Sequence, residues 1–445
     1  MASAAEQLAA NLNFSAFAKA TELKKRIWFT LGALLIYRLG TYVPVPGIDP
    51  AALAQVFDSN RGGIIGMFDM FAGGAVGRMA IFALNIMPYI SASIIMQLLA
   101  TTSPHLAQLK KEGEQGRRQL NQYTRYGTVL LAAAQGYGIA VGLESAGGIV
   151  TDPGLLFRLT TVITLVGGTI FLMWLGEQIT ARGVGNGISL IIFAGIVAEL
   201  PGAFAGTMEL GRQGAISTLV ILFLIAMVIA VIAFIVFMER AQRRLLIQYP
   251  KRQVSGGAFR GESSSHLPLK LNTAGVIPPI FASSLLLLPL TLAGFSSADS
   301  DSWLAVVSTY LGHGQPLYML LYAVGIIFFC FFYTSIVFSP EDTADNLRRY
   351  GGFIPGIRPG KSTAEYIDYV LTRLTTVGAA YLTLVCLLPE VLVAQYNVPF
   401  YFGGTSLLIV VSVTMDTVAQ VQSHLLAHQY EGLIRKSKLR GGRTR

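Results

Sequence analysis

The 445 residues are 53% hydrophobic and only 13% charged, with a mean hydropathy of +0.57. Soluble domains carry about 25% charged residues, so this composition excludes an ordinary water-exposed globular fold and points to lipid as the main solvent. The formal net charge of +9 matters through its distribution, because Lys and Arg accumulate on the cytoplasmic side of membrane proteins.

The first 26 residues, MASAAEQLAANLNFSAFAKATELKKR, lack the basic, apolar, small-residue layout of a cleavable signal. They read as a short amphipathic segment ahead of the first span. Ten apolar runs follow that are long enough, or nearly so, to cross a bilayer. They begin near Ile27, Met79, Tyr126, Leu159, Ile188, Ile216, Thr273, Leu317, Val370 and Thr405. The fifth, Ile188 to Pro201, is the short one. Between the first two lies GGIIGMFDMFAGGA, Gly62 to Ala75, about half a span long with a single acid, Asp69. Its residues alone fit an interfacial amphipathic helix as well as a re-entrant segment.

With ten spans both ends share one side. If the amino end is inside, 28 of the 33 Lys and Arg fall at inward-facing ends or loops. Only Arg61, Arg78, Arg158 and Arg212 face outward, and Arg38 lies within the first span. Both termini are therefore expected in the cytoplasm. Five is odd, so a duplicated five-span unit would place its second copy upside down. No clear internal repetition is visible, but the glycine-rich stretch 202–215 lies mid-chain and reads as a hinge. The expected organisation is an N-terminal segment (1–26), a first half (27–201), the hinge loop, a second half (216–426) and a basic tail (427–445). Large cytoplasmic loops are expected at 239–271 and 339–364.

Chemical motifs are scarce. Cys330 and Cys386 lie far apart in apolar runs and form no CxxC unit. PGIRPGKST (355–363) misses the phosphate-loop spacing, and two prolines remove backbone donors. His424 and His428 have i,i+4 spacing without a carboxylate between them. GVGNG (183–187) reads as a tight turn with Asn186 near a helix start. No catalytic constellation, cofactor site or metal site is expected, and the chain does not read as an enzyme. An ion-coupled solute transporter would need ionisable groups near the bilayer centre, where Arg38, Asp416, Glu177 and Glu199 are the few candidates. The basic loops are more prominent: Arg240, Arg243, Arg244, Lys251 and Arg252 in one, Arg348, Arg349, Arg358 and Lys361 in the other. Such loops bind anionic lipid, RNA phosphate or acidic protein, and their prolines and apolar residues favour a docking surface for a large partner.

Several long blocks, KKEGEQGRRQLNQYTRYGT (110–128), FLMWLGEQITARGVGNGIS (171–189), HLPLKLNTAGVIPPIFASS (266–284), EDTADNL (341–347), GIRPGKSTAEYID (356–368) and VPFYFGGTSLLIVV (398–411), resemble the SecY/Sec61-alpha family. These are channel subunits of the Sec preprotein translocase. The resemblance implies an all-α fold of ten transmembrane helices in two inverted halves around an hourglass pore, with a plug and a sideways gate. It assigns the waist to Ile86, Ile90, Ile188, Ile192, Ile280 and Ile409, where Ile86/Ile90 and Ile188/Ile192 are i,i+4 pairs expected on single helix faces. An apolar constriction excludes ions by dewetting and offers a passing chain no sticky site. The plug falls on 62–75, with Ile64, Ile65, Met67, Phe68, Asp69, Met70 and Phe71 its core. Asp69 is expected to face funnel water. Ser91 and Asn272 match gate-lining positions. Arg243, Arg244, Lys251, Arg252 and Arg358 fall in the docking loops for the ribosome and the SecA motor. Partners implied are SecE and SecG, SecA, the ribosome, signal sequences and nascent chains, anionic lipids, SecD/SecF and YidC.

Overall fold

A computed structural model describes residues 21–60, 69, 72–145, 148–214, 217–249, 264–294, 315–396 and 404–441. The chain divides into two compact units. One comprises Met1–Ala205, Pro289–Thr309 and Val413–Arg445, the other Gly206–Leu288 and Tyr310–Ser412.

The first unit begins with α1 (Thr21–Gly40) and α2 (Pro50–Asn60), followed by an irregular stretch up to Ile86. Then come α3 (Met87–Thr102), α4 (Pro104–Lys111), α5 (Glu114–Ser145), α6 (Leu155–Arg182) and α7 (Gly187–Arg212), whose last turns enter the second unit. α5 packs along α6 and against α3 and α4, and α1 packs on α6. The α5–α6 pair is tied at both ends. Arg125 grips Glu177 through both carboxylate oxygens (2.6 and 2.8 Å), while Glu144 accepts from Arg158 (2.6 Å) and from the Gly154 amide (3.0 Å). The two ties are separated by roughly 29 Å along each helix at the α-helical rise. That matches the thickness of a bilayer's hydrocarbon layer, about 30 Å. Gly168 of α6 lets the helix touch the Ile81 carbonyl, which a Cβ there would strike.

The second unit contains α8 (Thr218–Arg240), an antiparallel hairpin of β1 (Gln242–Gln248) and β2 (Ser264–Lys270), and α9 (Ile277–Gly294). It continues with α10 (Pro316–Val337), α11 (Pro340–Arg349), α12 (Lys361–Tyr396) and the start of α13 (Gly404–Gly441). α10 packs on α12, and a buried Tyr322–Thr405 hydroxyl contact (2.7 Å) joins α10 to α13. From Val413 onward α13 belongs with the first unit, where Gln420 accepts from the Gly185 amide (2.9 Å).

Seven helices among the described residues, in α5 to α8, α10, α12 and α13, are long and apolar enough to cross a membrane. Their outward faces are apolar too: Leu156 is 79% and Leu219 78% exposed, beside many other large hydrophobics. A helix apolar all round belongs in lipid or a core, and these faces have no core to enter. The chain is a multi-pass membrane protein.

Two expectations are corrected. The span expected from Met79 starts only at Met87: residues 72–86 are turns, with Met79 and Asn85 at φ +44° and +49°. Apolar composition concealed this, because the stretch is apolar yet bonds through turns within itself and to the 43–45 segment instead of through a helix. The fifth span is not short, and 202–212 is not a loop. α7 runs helically through Pro201 to Arg212 and ends in a turn at Gly214, φ +77°. The final helix continues through most of the expected basic tail, to Gly441.

Replacing Glu144 by Gln leaves Arg158 without its carboxylate at the nearly buried end of the pair, and should lower the thermal midpoint in detergent. Glu114→Gln, which touches only the exposed Glu114–Arg118 pair, should leave it unchanged.

Candidate functional site

Of the six expected waist residues, four lie in the first unit. Ile86 is the cap of α3 rather than part of it (φ −96°, ψ 2°), because Pro88 opens the helix. Its carbonyl accepts from the Ile90 amide (3.1 Å), and both side chains are buried. The single-face argument for this pair is therefore corrected: Ile90 is helical and Ile86 is its cap. Ser91 follows on α3, also buried. Ile188 and Ile192 do sit four apart in the first turns of α7. That helix start is fixed by Asn186, whose Oδ1 accepts from the amides of Ile188 (3.1 Å) and Ser189 (3.4 Å), the tight turn expected of GVGNG. The same turn is held by Thr30 Oγ1, which accepts from Val184 N (3.1 Å).

The other two waist residues lie in the second unit: Ile280, half-buried, in the first turn of α9, and Ile409, buried, on α13. Asn272 precedes α9 in the turn after β2 and is 5% exposed. Its Nδ2 donates to Glu239 Oε1 at the end of α8 (2.6 Å) and to Gly275 O (3.1 Å), while its Oδ1 accepts from Gly275 N (3.1 Å). These bonds are all internal to the second unit.

Of the plug residues, Ile64, Ile65, Met67, Phe68, Met70 and Phe71 lie outside the described residues. Asp69 is described. It is half-buried, its Oδ1 accepts from Gly77 N (2.7 Å) and its carbonyl from Gly74 N (2.9 Å). The acid is an anchor for the turn that leads toward Ile86.

The basic loops form a folded platform. β1 and β2 pair from Gln242↔Lys270 to Gln248↔Ser264. Gln248 and Phe353 exchange both backbone bonds (2.9 and 3.0 Å), so the second loop adds to the hairpin edge. Alternation turns Leu245 and Ile247 inward, onto Leu269, Leu347, Ile354, Ile367, Val370 and Leu374. Arg243 and Arg244 stay exposed on the hairpin, and Arg358 is exposed in the turn before α12. Lys251 and Arg252 lie outside the described residues. The strands escaped sequence reading, although the alternation in RRLLIQ was a usable signal. Among the described residues no group of three His, Cys, Asp or Glu could hold a metal.

These features define a polytopic helical membrane protein with a folded basic platform carried between its spans. The chain belongs to the SecY family, whose model matches residues 80–418. It is 58% identical to protein translocase subunit SecY of Escherichia coli K12 over 424 residues, covering 94% of this chain and 96% of that one. To the SecY of Vibrio cholerae it is 56% identical over 426 residues, 95% and 96% of the two chains. Its fold is similar to that of a solved protein-conducting channel, with TM-score 0.65 at 18% identity, over 90% of this chain and 92% of that one. A second similar structure is canine Sec61 in a ribosome–channel complex from the endoplasmic reticulum, with TM-score 0.61 at 17% identity over 90% and 92%.

Ile367, fully buried under the hairpin, should be the platform's keystone. Ile367→Ala should destabilise it by about 3 kcal/mol. Limited proteolysis should then cut the hairpin faster while cleavage elsewhere stays unchanged.

Proposed function

We propose that this chain is the protein-conducting channel of a bacterial Sec translocase. It passes unfolded preproteins across the plasma membrane and releases transmembrane segments sideways into lipid. The observation that carries this reading, beside membership of the family, is the shortened helix α3. Its 16 residues cover roughly 24 Å. It is preceded by non-helical chain that is bonded to loops of its own unit. At membrane depth such backbone is tolerated only where protein or a water-filled cavity surrounds it. A re-entrant segment and a truncated span suit a funnel, whereas a simple helical anchor needs neither.

In this reading ten helices form two inverted five-helix halves, with both termini cytoplasmic. Residues 62–75 are the plug. Ile86, Ile90, Ile188, Ile192, Ile280 and Ile409 form the waist, whose branched aliphatic surface dewets when empty and slides past an extended chain when occupied. Ser91 and Asn272 line the sideways gate, where losing a polar partner on opening sets a threshold that an apolar signal helix must exceed. Arg243, Arg244, Lys251, Arg252 and Arg358 dock the SecA motor or the ribosome. SecE and SecG complete the channel, anionic lipids surround it, and SecD/SecF and YidC act beside it. The chain catalyses no reaction. Chain elongation, or ATP hydrolysis by the motor, drives movement. An ion-coupled transporter finds less support: the Arg125–Glu177 and Arg158–Glu144 pairs lie near helix ends, and Glu22–Arg26, Glu114–Arg118 and Glu209–Arg212 link neighbours on one helix.

Reconstitution with SecA and a small second subunit should give ATP-dependent entry of a preprotein into vesicles. A preprotein that stays fully protease-accessible would overturn the reading. Arg358→Glu should cut motor-driven export on the order of tenfold while the channel still inserts into membranes. Deleting 64–71 should produce flickering ion conductance in a planar bilayer, and a silent bilayer would remove the plug.

A further inference from the structure

The stretch GGFIPGIRPGKST, Gly351 to Thr363, carries Arg358 between two prolines, Pro355 and Pro359. Proline fixes its own φ at about −65° and pushes the residue before it toward extended backbone, so Ile354 and Arg358 are both confined. Gly356 (φ +82°) and Gly360 (φ +110°) supply the reversals of the chain. Upstream, the stretch is anchored to the platform in steps. Gly352 N donates to Leu347 O (2.8 Å), Phe353 pairs with Gln248, Ile354 is buried, and Ile357 N donates to Ile354 O (3.1 Å). The Ile357 side chain packs on the same core as Ile354.

Downstream, the Gly360 carbonyl accepts from the amides of Thr363 (3.0 Å) and Ala364 (3.2 Å), which starts α12. The Thr363 hydroxyl then reaches back past Pro359 and donates to the Arg358 carbonyl (3.0 Å), five residues earlier. Thr363 is 2% exposed, although Lys361 and Ser362 beside it are exposed. Threonines inside a helix bond a carbonyl of that helix, as Thr375 does with Leu371 (2.8 Å) and Thr334 with Cys330 (2.7 Å). At Thr363 the acceptor is instead the loop residue that bears the cation. Valine would fill the same space, so packing alone gives the hydroxyl no use; its use is the bond.

Arg358 is thus exposed on a backbone fixed from both sides. A guanidinium pairs with carboxylate or phosphate in a planar two-bond geometry, which rewards a fixed approach. A loose loop must first be ordered, and that cost is subtracted from affinity.

We propose that Thr363 is a positioning residue for Arg358: its hydroxyl holds the Arg358 peptide in the conformation that presents the guanidinium to an anionic group of the docking motor. Thr363 touches no partner itself. It acts before docking, by removing an ordering cost, so it sets the motor's affinity and not the rate of the docked complex. This rests on the reading of Arg358 as a docking residue made above.

The full chain, reconstituted with its small partner subunit in nanodiscs and in vesicles, is compared as Thr363→Val, Thr363→Ser, Arg358→Ala, and Arg358→Ala combined with Thr363→Val. SecA binding is titrated on the discs, and ATP-driven preprotein entry is measured in vesicles at saturating SecA. Thr363→Val should weaken SecA binding on the order of fivefold with saturated export unchanged. Thr363→Ser keeps the hydroxyl and should bind as the parent chain does. In the Arg358→Ala background Thr363→Val should cost nothing further, because no guanidinium is left to position. Undiminished binding by Thr363→Val beside weakened Arg358→Ala would overturn the positioning role and leave the docking role of Arg358 standing. A loss of the same size in both backgrounds would show Thr363 to be a general stabiliser of the loop, and would also overturn the proposal. So would equal losses in Thr363→Ser and Thr363→Val, or a fall in saturated export with binding unchanged. Undiminished binding by Arg358→Ala would overturn the docking reading and the positioning role with it. If Thr363→Val fails to accumulate in the membrane, Thr363→Ala removes the same hydroxyl and carries the same comparisons.

Discussion

Backbone amides and carbonyls find no water in about 30 Å of hydrocarbon, and the architecture follows from where their bonds can be made instead. Along most of the chain the solution is the helix itself. The exception is 72–86, whose groups are satisfied partly by turn bonds within the stretch, such as Met79 N to Val76 O and Ala80 N to Ala75 O, and partly by outside partners: the 43–45 segment, the Asp69 side chain, and the Arg38, Arg78 and Tyr37 side chains. An isolated arginine in a span is costly, and the Arg38 head group is compensated by the Gly73 carbonyl and the Tyr42 hydroxyl.

Two solvents act on one polypeptide. In the platform, Leu245, Ile247, Leu269, Ile367 and their neighbours turn inward and the arginines outward, as in any water-soluble fold. In the helices the large apolar side chains are found on the outside as well, and small or hydroxylated residues occupy the contacts: Gly168 meets the Ile81 carbonyl, Thr161, Thr169 and Ser412 are buried. Lipid offers no hydrophobic incentive to bury a leucine, so close backbone approach and hydrogen bonding take over the work of association.

This difference explains what the sequence revealed. Membrane spans were legible because length and apolarity are the physical requirement for crossing, and α5, α6, α8, α10 and α12 start within a turn or three of where the apolar runs suggested. The turn at Asn186 was legible because an Asn oxygen beside glycines is a helix start by local chemistry. Residues 79–86 were not, since apolarity reports the solvent of a segment and not its backbone path. Pro201 and the glycines after it suggested a loop in 202–212, but α7 continues. The hairpin was overlooked because its inward residues find their partners on α11 and α12, about a hundred positions away. Ile86 and Ile90, Arg38 and Asp69 show the same limit at the site: their identities were readable, while a cap, a clamp and an anchor are relations among distant parts of the chain.

The Asn272 side chain spans the point where the platform's second strand turns into α9, and it is pinned to Glu239 at the point where α8 gives way to the first strand. Both strands therefore join their helices without slack. A short, doubly pinned connection transmits load as a stiff linkage does, whereas a loose loop would absorb it. A push or twist applied to the hairpin in water would arrive at the first turn of α9, where Ile280 sits, as a change of helix tilt. Mechanical stiffness would thus make the hairpin a lever.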